Sequence, residues 1–458
     1  MSGVVQTDTD ALAALRAVET ELDRRWPESR IEPSLARIAA LVDVLGMPQR
    51  CYPALHVAGT NGKTSVARML DALLGRIGLR VGRYTSPHLQ LVTERISLHG
   101  EPISPERYVE AYRDIERYVA MVDTGSQVPM SKFEVLTGMA FATFADAPVD
   151  AAVVEVGLGG SWDATNVADA TVATITPVAV DHVDYLGSDI AGIAAEKAGI
   201  IKPGSVAVLA EQSPEVAKVI AARSIEVDAT VAREGMEFGV LHRDIAVGGQ
   251  RLRLQGLGGV YDEIFLPLHG EHQGRNAVLA LAAAEAFFGA GASRSLDIDA
   301  VRDAFATVTA PGRLERVRTA PSVLLDGAHN PHGARALAAA LRDEFAFRRL
   351  IAVVGVMRDK DVTGILAGLE PVVDEVVVTA SSSWRAMDVD ELAAVALEVF
   401  GAQRLQVEPQ LPEAIEAAVT SAEEIGAGED RISGAGVVVT GSVTLVGEAR
   451  TLFGRQPR

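Results

Sequence analysis

Between residues 8 and 22 the apolar positions Leu12, Leu15, Val18 and Leu22 recur every three or four residues, which puts them on one face of a helix. Residues 31–45 continue the pattern, so two helices are predicted ahead of the first strand. Short continuous apolar runs follow at 55–58, 80–84, 151–156, 170–177 and 205–210. Runs of that kind demand a sheet buried on both faces, which means a parallel one. Helical spacing at 63–75, 108–121, 134–144 and 215–223 fills the gaps. Residues 240–268 break the pattern, because short alternating segments with Leu252, Leu254 and Leu257 among glycines predict antiparallel hairpins. Alanine-rich helix returns at 274–288 and a short one at 298–306. From residue 322 a new alternation begins, with strands at 323–326, 350–356, 376–379, 405–407 and 437–440. No G-x-G-x-x-G follows the first of these, so this second, Rossmann-like unit does not read as a dinucleotide site. The predicted fold is α/β: a P-loop parallel-sheet ATPase domain with a small antiparallel sheet, then a Rossmann-like C-terminal domain. Residues 1–310 and 311–458 are the expected units.

Composition narrows the class. The chain has 458 residues, 48% of them apolar, but no apolar run of about 18 that would span a bilayer. Residues 1–20 are acidic and polar rather than basic then apolar, so they do not read as a signal peptide, and a cytoplasmic protein is expected. A net charge of −19 opposes binding to nucleic acid, which needs cations along the phosphate backbone. A small anionic ligand remains compatible, given local basic residues or metal. The single cysteine, Cys51, excludes an internal disulfide and a cysteine-rich zinc site.

Chemistry concentrates where the first strand ends, at His56-Val57-Ala58-Gly59-Thr60-Asn61-Gly62-Lys63-Thr64-Ser65. Glycines let successive backbone N–H groups close on phosphate oxygens, the helix start adds positive partial charge, Lys63 reaches the outer phosphates, and Thr64 offers a hydroxyl to Mg²⁺. The loop is a variety of its own, since Val57 stands where the general P-loop pattern has its first glycine. Ser86, in Ser86-Pro87-His88, follows the next strand and falls at the same sheet edge, as a possible second metal ligand. Glu155 ends another buried strand, where a carboxylate needs a partner or a metal. His182 lies beyond a third strand end, although hard cations prefer oxygen to imidazole. By composition alone Lys197 is a surface lysine.

The loop Gly59-Thr60-Asn61-Gly62-Lys63-Thr64 resembles the ATP loop of the Mur ligase superfamily. Further motifs resemble, in order, those of its folylpolyglutamate/dihydrofolate synthases. They are Ser86-Pro87-His88, Phe133-Glu134, Glu155 with Gly157-Leu158-Gly159-Gly160, Asp163-Ala164-Thr165-Asn166, Asp181-His182, Glu196-Lys197-Ala198-Gly199, His272-Gln273 with Asn276, Pro311-Gly312-Arg313 and Asp326-Gly327-Ala328-His329-Asn330-Pro331. The match covers roughly residues 30–450. The resemblance implies that Gly59 to Ser65 with Asn276, Arg313 and Asp326 bind ATP. It implies that Thr64, Ser86, Glu155 and His182 hold Mg²⁺ at two sites, with a carbamylated Lys197 as an anionic oxygen ligand. Met130, Ser131, Lys132, Phe133, Glu134, Trp162, Asp163 and Ala164 would lie at the pterin and pteroate end. His329 and Ser442 would lie on the amino-acid side, and a monomer is the expected state. One segment departs: the family reads Gly-Gly-Arg-Leu-Asp-Ala-Thr-Asn where this chain has Gly160-Ser161-Trp162-Asp163, which removes an arginine and adds a stacking face.

The implied reaction activates a carboxylate with ATP as an acyl phosphate, which the amino group of L-glutamate then attacks. Dihydropteroate and reduced folates are the expected acceptors, and Lys63, Lys197 and His329 the expected catalytic residues. A bifunctional dihydrofolate/folylpolyglutamate synthase is expected; a polyglutamate synthase alone, or another amino-acid ligase of the superfamily, is the alternative. A guanine-reading Asn-Lys-x-Asp, which a nucleotide switch would need, does not occur. A kinase would leave the motif from Asp326 to Pro331 without a use.

Overall fold

The computed structural model describes residues 2–26, 32–181, 183–289, 295–426 and 434–457. Eight strands build the first sheet: β1 (Ala54–Ala58), β2 (Val81–Tyr84), β3 (Ile96–Leu98), β4 (Glu101–Pro102), β5 (Ala151–Glu155), β6 (Ala170–Ile175), β7 (Val206–Leu209) and β8 (Thr230–Arg233). Their order is β4-β3-β2-β5-β1-β6-β7-β8. All neighbours are parallel except at the β4-β3-β2 edge. β1 and β5 are buried along their whole length, as the uninterrupted apolar runs require. The edge strands β3 and β4, of three and two residues, carry no periodic signal long enough to predict.

Strands β9 (Gly239–Ala246), β10 (Gly249–Gln255) and β11 (Val260–Leu266) form the expected antiparallel sheet, in the order β11-β10-β9. The alanine-rich helix Glu271–Phe287 packs against β6, β7, β9 and β10 and so joins the two sheets through one apolar core. A third sheet holds β12 (Glu315–Thr319), β13 (Ser322–Leu325), β14 (Arg349–Val354), β15 (Glu375–Val378), β16 (Leu405–Val407) and β17 (Ala435–Thr440), in the order β12-β13-β17-β14-β15-β16. Only β12 runs antiparallel, in a hairpin with β13.

The first helix spans Ser2–Asp23 and buries Leu15, Val18 and Leu22 in a core shared with helix Pro105–Gly125. The second begins at Ala36 rather than near residue 31. Pro33 disfavours helical backbone at the residue before it, and the Ser34 hydroxyl accepts the Ala36 N–H at 3.1 Å, so the turn is made here.

The first and third sheets meet through tight backbone contacts. A Cβ added at Gly447 would run into the carbonyl of Leu89, and one added at Gly312 would meet Val446 and Leu89. The loop carrying Leu89 is held by one carboxylate, since Glu94 accepts the N–H groups of Leu89, Gln90 and Leu91 at 2.9–3.0 Å. Gln90 reaches across to Thr451, and Arg450 pairs with both Gln90 and Glu315.

Candidate active site

A cleft of about 900 Å³ lies where the first and third sheets face each other. Its floor is the turn between β1 and helix Lys63–Arg76. Gly59 and Gly62 have φ of +138° and +93°, a region that side chains resist, and a Cβ at either would strike Thr176 or Asn276. Lys63 Nζ donates to the carbonyls of Gly59 and Thr60 at 3.1 and 3.2 Å, folded back into the loop it would share with phosphate. Burial lowers its pKa, while Glu155 and Asp181 favour its charge. Thr64 donates its hydroxyl to Glu155 Oε1 at 2.9 Å. Glu155 Oε2 is buried without a hydrogen-bond partner, and burial raises the carboxyl to about 7 against the pull of Lys63. A hydroxyl and a buried carboxylate oxygen with nothing to bind are the donor set of a hard cation. Ser86 lines the same floor; His182 lies outside the described residues. Among the described residues no group of three His, Cys, Asp or Glu gathers for metal.

Lys197 is not at the surface. It sits near the end of helix Ile190–Ala198, buried, facing a small pocket beside Gly59, Lys63 and Asp181. Burial first, then the charge of Lys63, lowers its amine to about 7, so a large fraction is uncharged and nucleophilic at neutral pH.

The opposite wall comes from the third sheet. Asp326, one residue beyond β13, accepts the N–H groups of Leu314 and Ala328, each at 2.9 Å. Burial raises its pKa and Arg313 works against that rise. His329 faces the cleft; its Nδ1 lies 2.8 Å from the Gly327 carbonyl, and its Nε2 3.7 Å from Asp181 Oδ2. Burial, then Lys360, lowers it to about 4, so the ring is neutral at pH 7. Ser442 is the N-cap of helix Val443–Leu452, with its hydroxyl accepting the Leu445 N–H at 3.1 Å.

Three residues to which the sequence assigned no role tie the walls together. Asn330 Nδ2 donates to Asn61 Oδ1 at 3.0 Å and to Asp181 Oδ2 at 2.9 Å, and Lys360 Nζ donates to Asp181 Oδ1 at 2.7 Å. Asp181 and Asn330 stand inside quoted motifs; Lys360 gave no signal, being 179 residues from its partner.

The far end of the cleft is lined by Trp26, Arg37, Ser131, Phe133, Trp162 and Ala164. Ser131 and Glu134 form a capping box at the start of helix Lys132–Asp146, and Glu134 also accepts Arg37 Nε at 3.0 and 3.2 Å. Asp163 faces the cleft, but its carboxylate is occupied by the N–H groups of Leu158 and Thr165 and by the Thr165 hydroxyl. Two expected contacts do not reach the cleft. Met130 is fully buried in the helical core, and Lys132 turns away to pair with Asp23 at 2.6 Å and Glu19 at 3.4 Å. At the remaining end, Asn276 donates to Gln273 at 3.1 Å, and Gln273 lies 3.4 Å from the Ser65 hydroxyl.

Residues 57–284 match the Mur ligase middle domain, and residues 312–443 the Mur ligase glutamate ligase domain. With a phosphate loop on one wall and the Asp326 turn on the other, the chain is an ATP-dependent ligase of the Mur class. It is 60% identical to the dihydrofolate synthase/folylpolyglutamate synthase of Mycobacterium tuberculosis, covering 100% of this chain and 97% of that one. Against the Escherichia coli protein of the same name the identity is 35%, over 75% of this chain and 77% of that one. A solved M. tuberculosis folylpolyglutamate synthase complexed with ADP superposes with a TM-score of 0.94 at 60% identity, over 98% of this chain and 100% of that one. E. coli FolC in complex with DHPP and ADP gives 0.82 at 30% identity, over 96% and 97%. The chain belongs to the dihydrofolate synthase/folylpolyglutamate synthase family.

Proposed function

We propose that this chain joins L-glutamate to dihydropteroate, and to the glutamate tail of reduced folates, at the expense of ATP. The observation that carries the reading is the continuous cleft, which runs from the phosphate loop past Asp326 and His329 to the aromatic end at Phe133 and Trp162. An acceptor with a flat ring and a carboxylate would fit it with the ring at Trp162 and the carboxylate toward Lys63.

A carboxylate does not acylate an amine unaided, because oxide is a poor leaving group. Its oxygen would attack the γ-phosphorus of ATP, releasing ADP and leaving an acyl phosphate. The amino group of glutamate would then attack the acyl carbon, and inorganic phosphate would leave as the amide forms. Gly59 to Ser65 supply loop amides and hydroxyls to the phosphates, Lys63 supplies charge as the phosphoryl group transfers, and Asn276, Arg313 and Asp326 complete the nucleotide seat. Thr64, Ser86 and Glu155, with His182 and a carbamate on Lys197, would hold two Mg²⁺ ions, which neutralise phosphate charge when bound. With Nδ1 donating to Gly327, His329 presents Nε2 as a proton acceptor toward the amine, and Ser442 lies on the same side. Residues 1–310 and 311–458 would act as two units that close on the substrates, and we take the protein as a cytoplasmic monomer.

Purified protein supplied with ATP and labelled L-glutamate, with dihydropteroate in one reaction and a reduced folate in another, tests the reading. Labelled product from both acceptors is expected. Product from one alone would reduce the assignment to that activity, and phosphate release that does not depend on glutamate would overturn the ligase reading.

A further inference from the structure

Glu344 closes helix Pro331–Glu344, the first helix after β13, yet among the described residues its side chain bonds to Arg243, His269 and Gly270, far in sequence from its own helix. Its side chain is 1% exposed. Oε1 accepts the Gly270 N–H at 2.8 Å and pairs with the Arg243 guanidinium, while Oε2 lies 3.0 Å from His269 Nδ1. Burial works against the charge, but His269, the Gly270 N–H and Arg243 together hold the carboxyl below the usual range. His269 in turn packs on Phe345, the next residue along, with ring centroids 4.8 Å apart.

The geometry around Gly270 gives this contact its meaning. Gly270, at φ +97°, is the N-cap of helix Glu271–Phe287 and has no side chain with which to cap it. Its N–H is taken by Glu344, and its carbonyl by Gln250 Nε2 at 3.1 Å. Gln250 is itself aimed by Arg243, whose Nε donates to Gln250 Oε1 at 2.6 Å. Gly270 is therefore held on both sides, its N–H by Glu344 directly and its carbonyl by Arg243 through Gln250, and Arg243 and Glu344 are themselves paired. One turn on, the same helix presents Gln273 to Ser65, and Asn276 fills the space where a Cβ on Gly62 would stand. The phosphate loop leans on a helix whose first residue is fixed from the third sheet.

We infer that Glu344 is a positioning residue for nucleotide binding. It clamps the start of helix Glu271–Phe287 from across the cleft and so sets the wall against which the loop from Gly59 to Ser65 closes. The inference rests on the nucleotide reading given above and adds to it a residue that need touch no reacting atom. A carboxylate shared by three donors is a charge-assisted contact, and removing its charge leaves Arg243 without a counter-ion.

Calorimetric titration of the full chain with ADP separates this from general stabilisation. Glu344→Gln keeps the shape and loses the charge; its Kd for ADP is expected to rise about tenfold, with KM for ATP rising in parallel and kcat at saturating ATP within about threefold. Arg243→Met should do the same, and the double variant should be no worse than either single one, because both act through one contact. Should Glu344→Gln fail to fold, Arg243→Met, nearer the surface, carries the measurement. An unchanged Kd in folded variants, a fall in kcat without a change in Kd, or additive losses in the double variant would overturn the inference. Wild-type protein that binds no ADP would instead overturn the nucleotide reading beneath it.

Discussion

Asn61 and Asn330, 269 residues apart, exchange their side-chain amides: Nδ2 of each donates to Oδ1 of the other, at 3.2 and 3.0 Å. Asn330 is also the N-cap of helix Pro331–Glu344, its Oδ1 accepting the Gly333 N–H at 2.8 Å. One side chain thus starts a helix of the third sheet and meets the phosphate loop of the first. The amide pair therefore joins the two walls of the cleft two residues ahead of Lys63.

The same seam contains a buried ion pair, Lys360 with Asp181, each side chain 7% exposed. Removing one partner of such a pair leaves an uncompensated charge and costs about 3–5 kcal/mol. Lys360→Met is therefore expected to lose about 3 kcal/mol in urea unfolding, and Asp181→Asn in the same background should recover part of it. Equal stability of wild type and Lys360→Met would show that water enters the seam freely.

Lys197 is expected to be indispensable as an anion rather than as an amine. Lys197→Ala should lose at least about 100-fold in kcat, in the range of a removed charge-stabilising group. A short-chain carboxylic acid that fits the small pocket should restore part of the rate. A fully active alanine variant, or a loss that no carboxylic acid repairs while bicarbonate depletion leaves wild type untouched, would remove the carbamate from the scheme.

Trp162 should serve the acceptor and not the nucleotide. Its ring lies against Gly159, where a Cβ would touch it, and it lines the aromatic end of the cleft. Stacking on a flat ring is worth about 0.5–1.5 kcal/mol. Trp162→Ala is expected to raise KM for the pterin-bearing acceptor by roughly 3–10-fold and to leave KM for ATP as it was. A change confined to ATP would place the acceptor elsewhere.

His56 predicts how the unliganded protein responds to acid. It is fully buried on β1, with Nε2 2.8 Å from the Thr165 hydroxyl, and burial, then Lys202, lowers its pKa to about 3. Above pH 6.5 the ring is neutral in both states and its contribution is complete. As pH falls from 6.5 toward 3, the unfolded chain binds a proton that the folded chain refuses, so stability is lost. At pH 4.5 this amounts to about 2–3 kcal/mol. Denaturant unfolding of wild type and His56→Gln at pH 7 and pH 4.5 should show a smaller drop in the variant; parallel drops would mean another group carries the acid sensitivity.

What the chain reveals before folding follows from the range over which its signals act. The run from Leu55 through Ser65 is local, and strand, turn and helix all lie within it; Glu155 could be placed because a carboxylate ending an apolar strand is conspicuous. Lys197 could be placed only by the family resemblance, since burial is a property of what packs above a residue, and nothing nearby in sequence says that Gly160 and Ser161 will cover its helix. Lys360 and Glu344 are more extreme, because their partners lie 179 and up to 101 residues away in another sheet. Met130 and Lys132 err the other way. They flank a capping box whose geometry turns one into the core and the other toward the first helix, leaving Ser131 and Phe133 for the cleft.

Where Gly447 meets Leu89, main chain lies against main chain, with no side-chain rotamer between them to absorb a shift. A methyl group placed at residue 447 would have to push one main chain off the other, so the seam between the two sheets would give way in its backbone instead of repacking around a side chain.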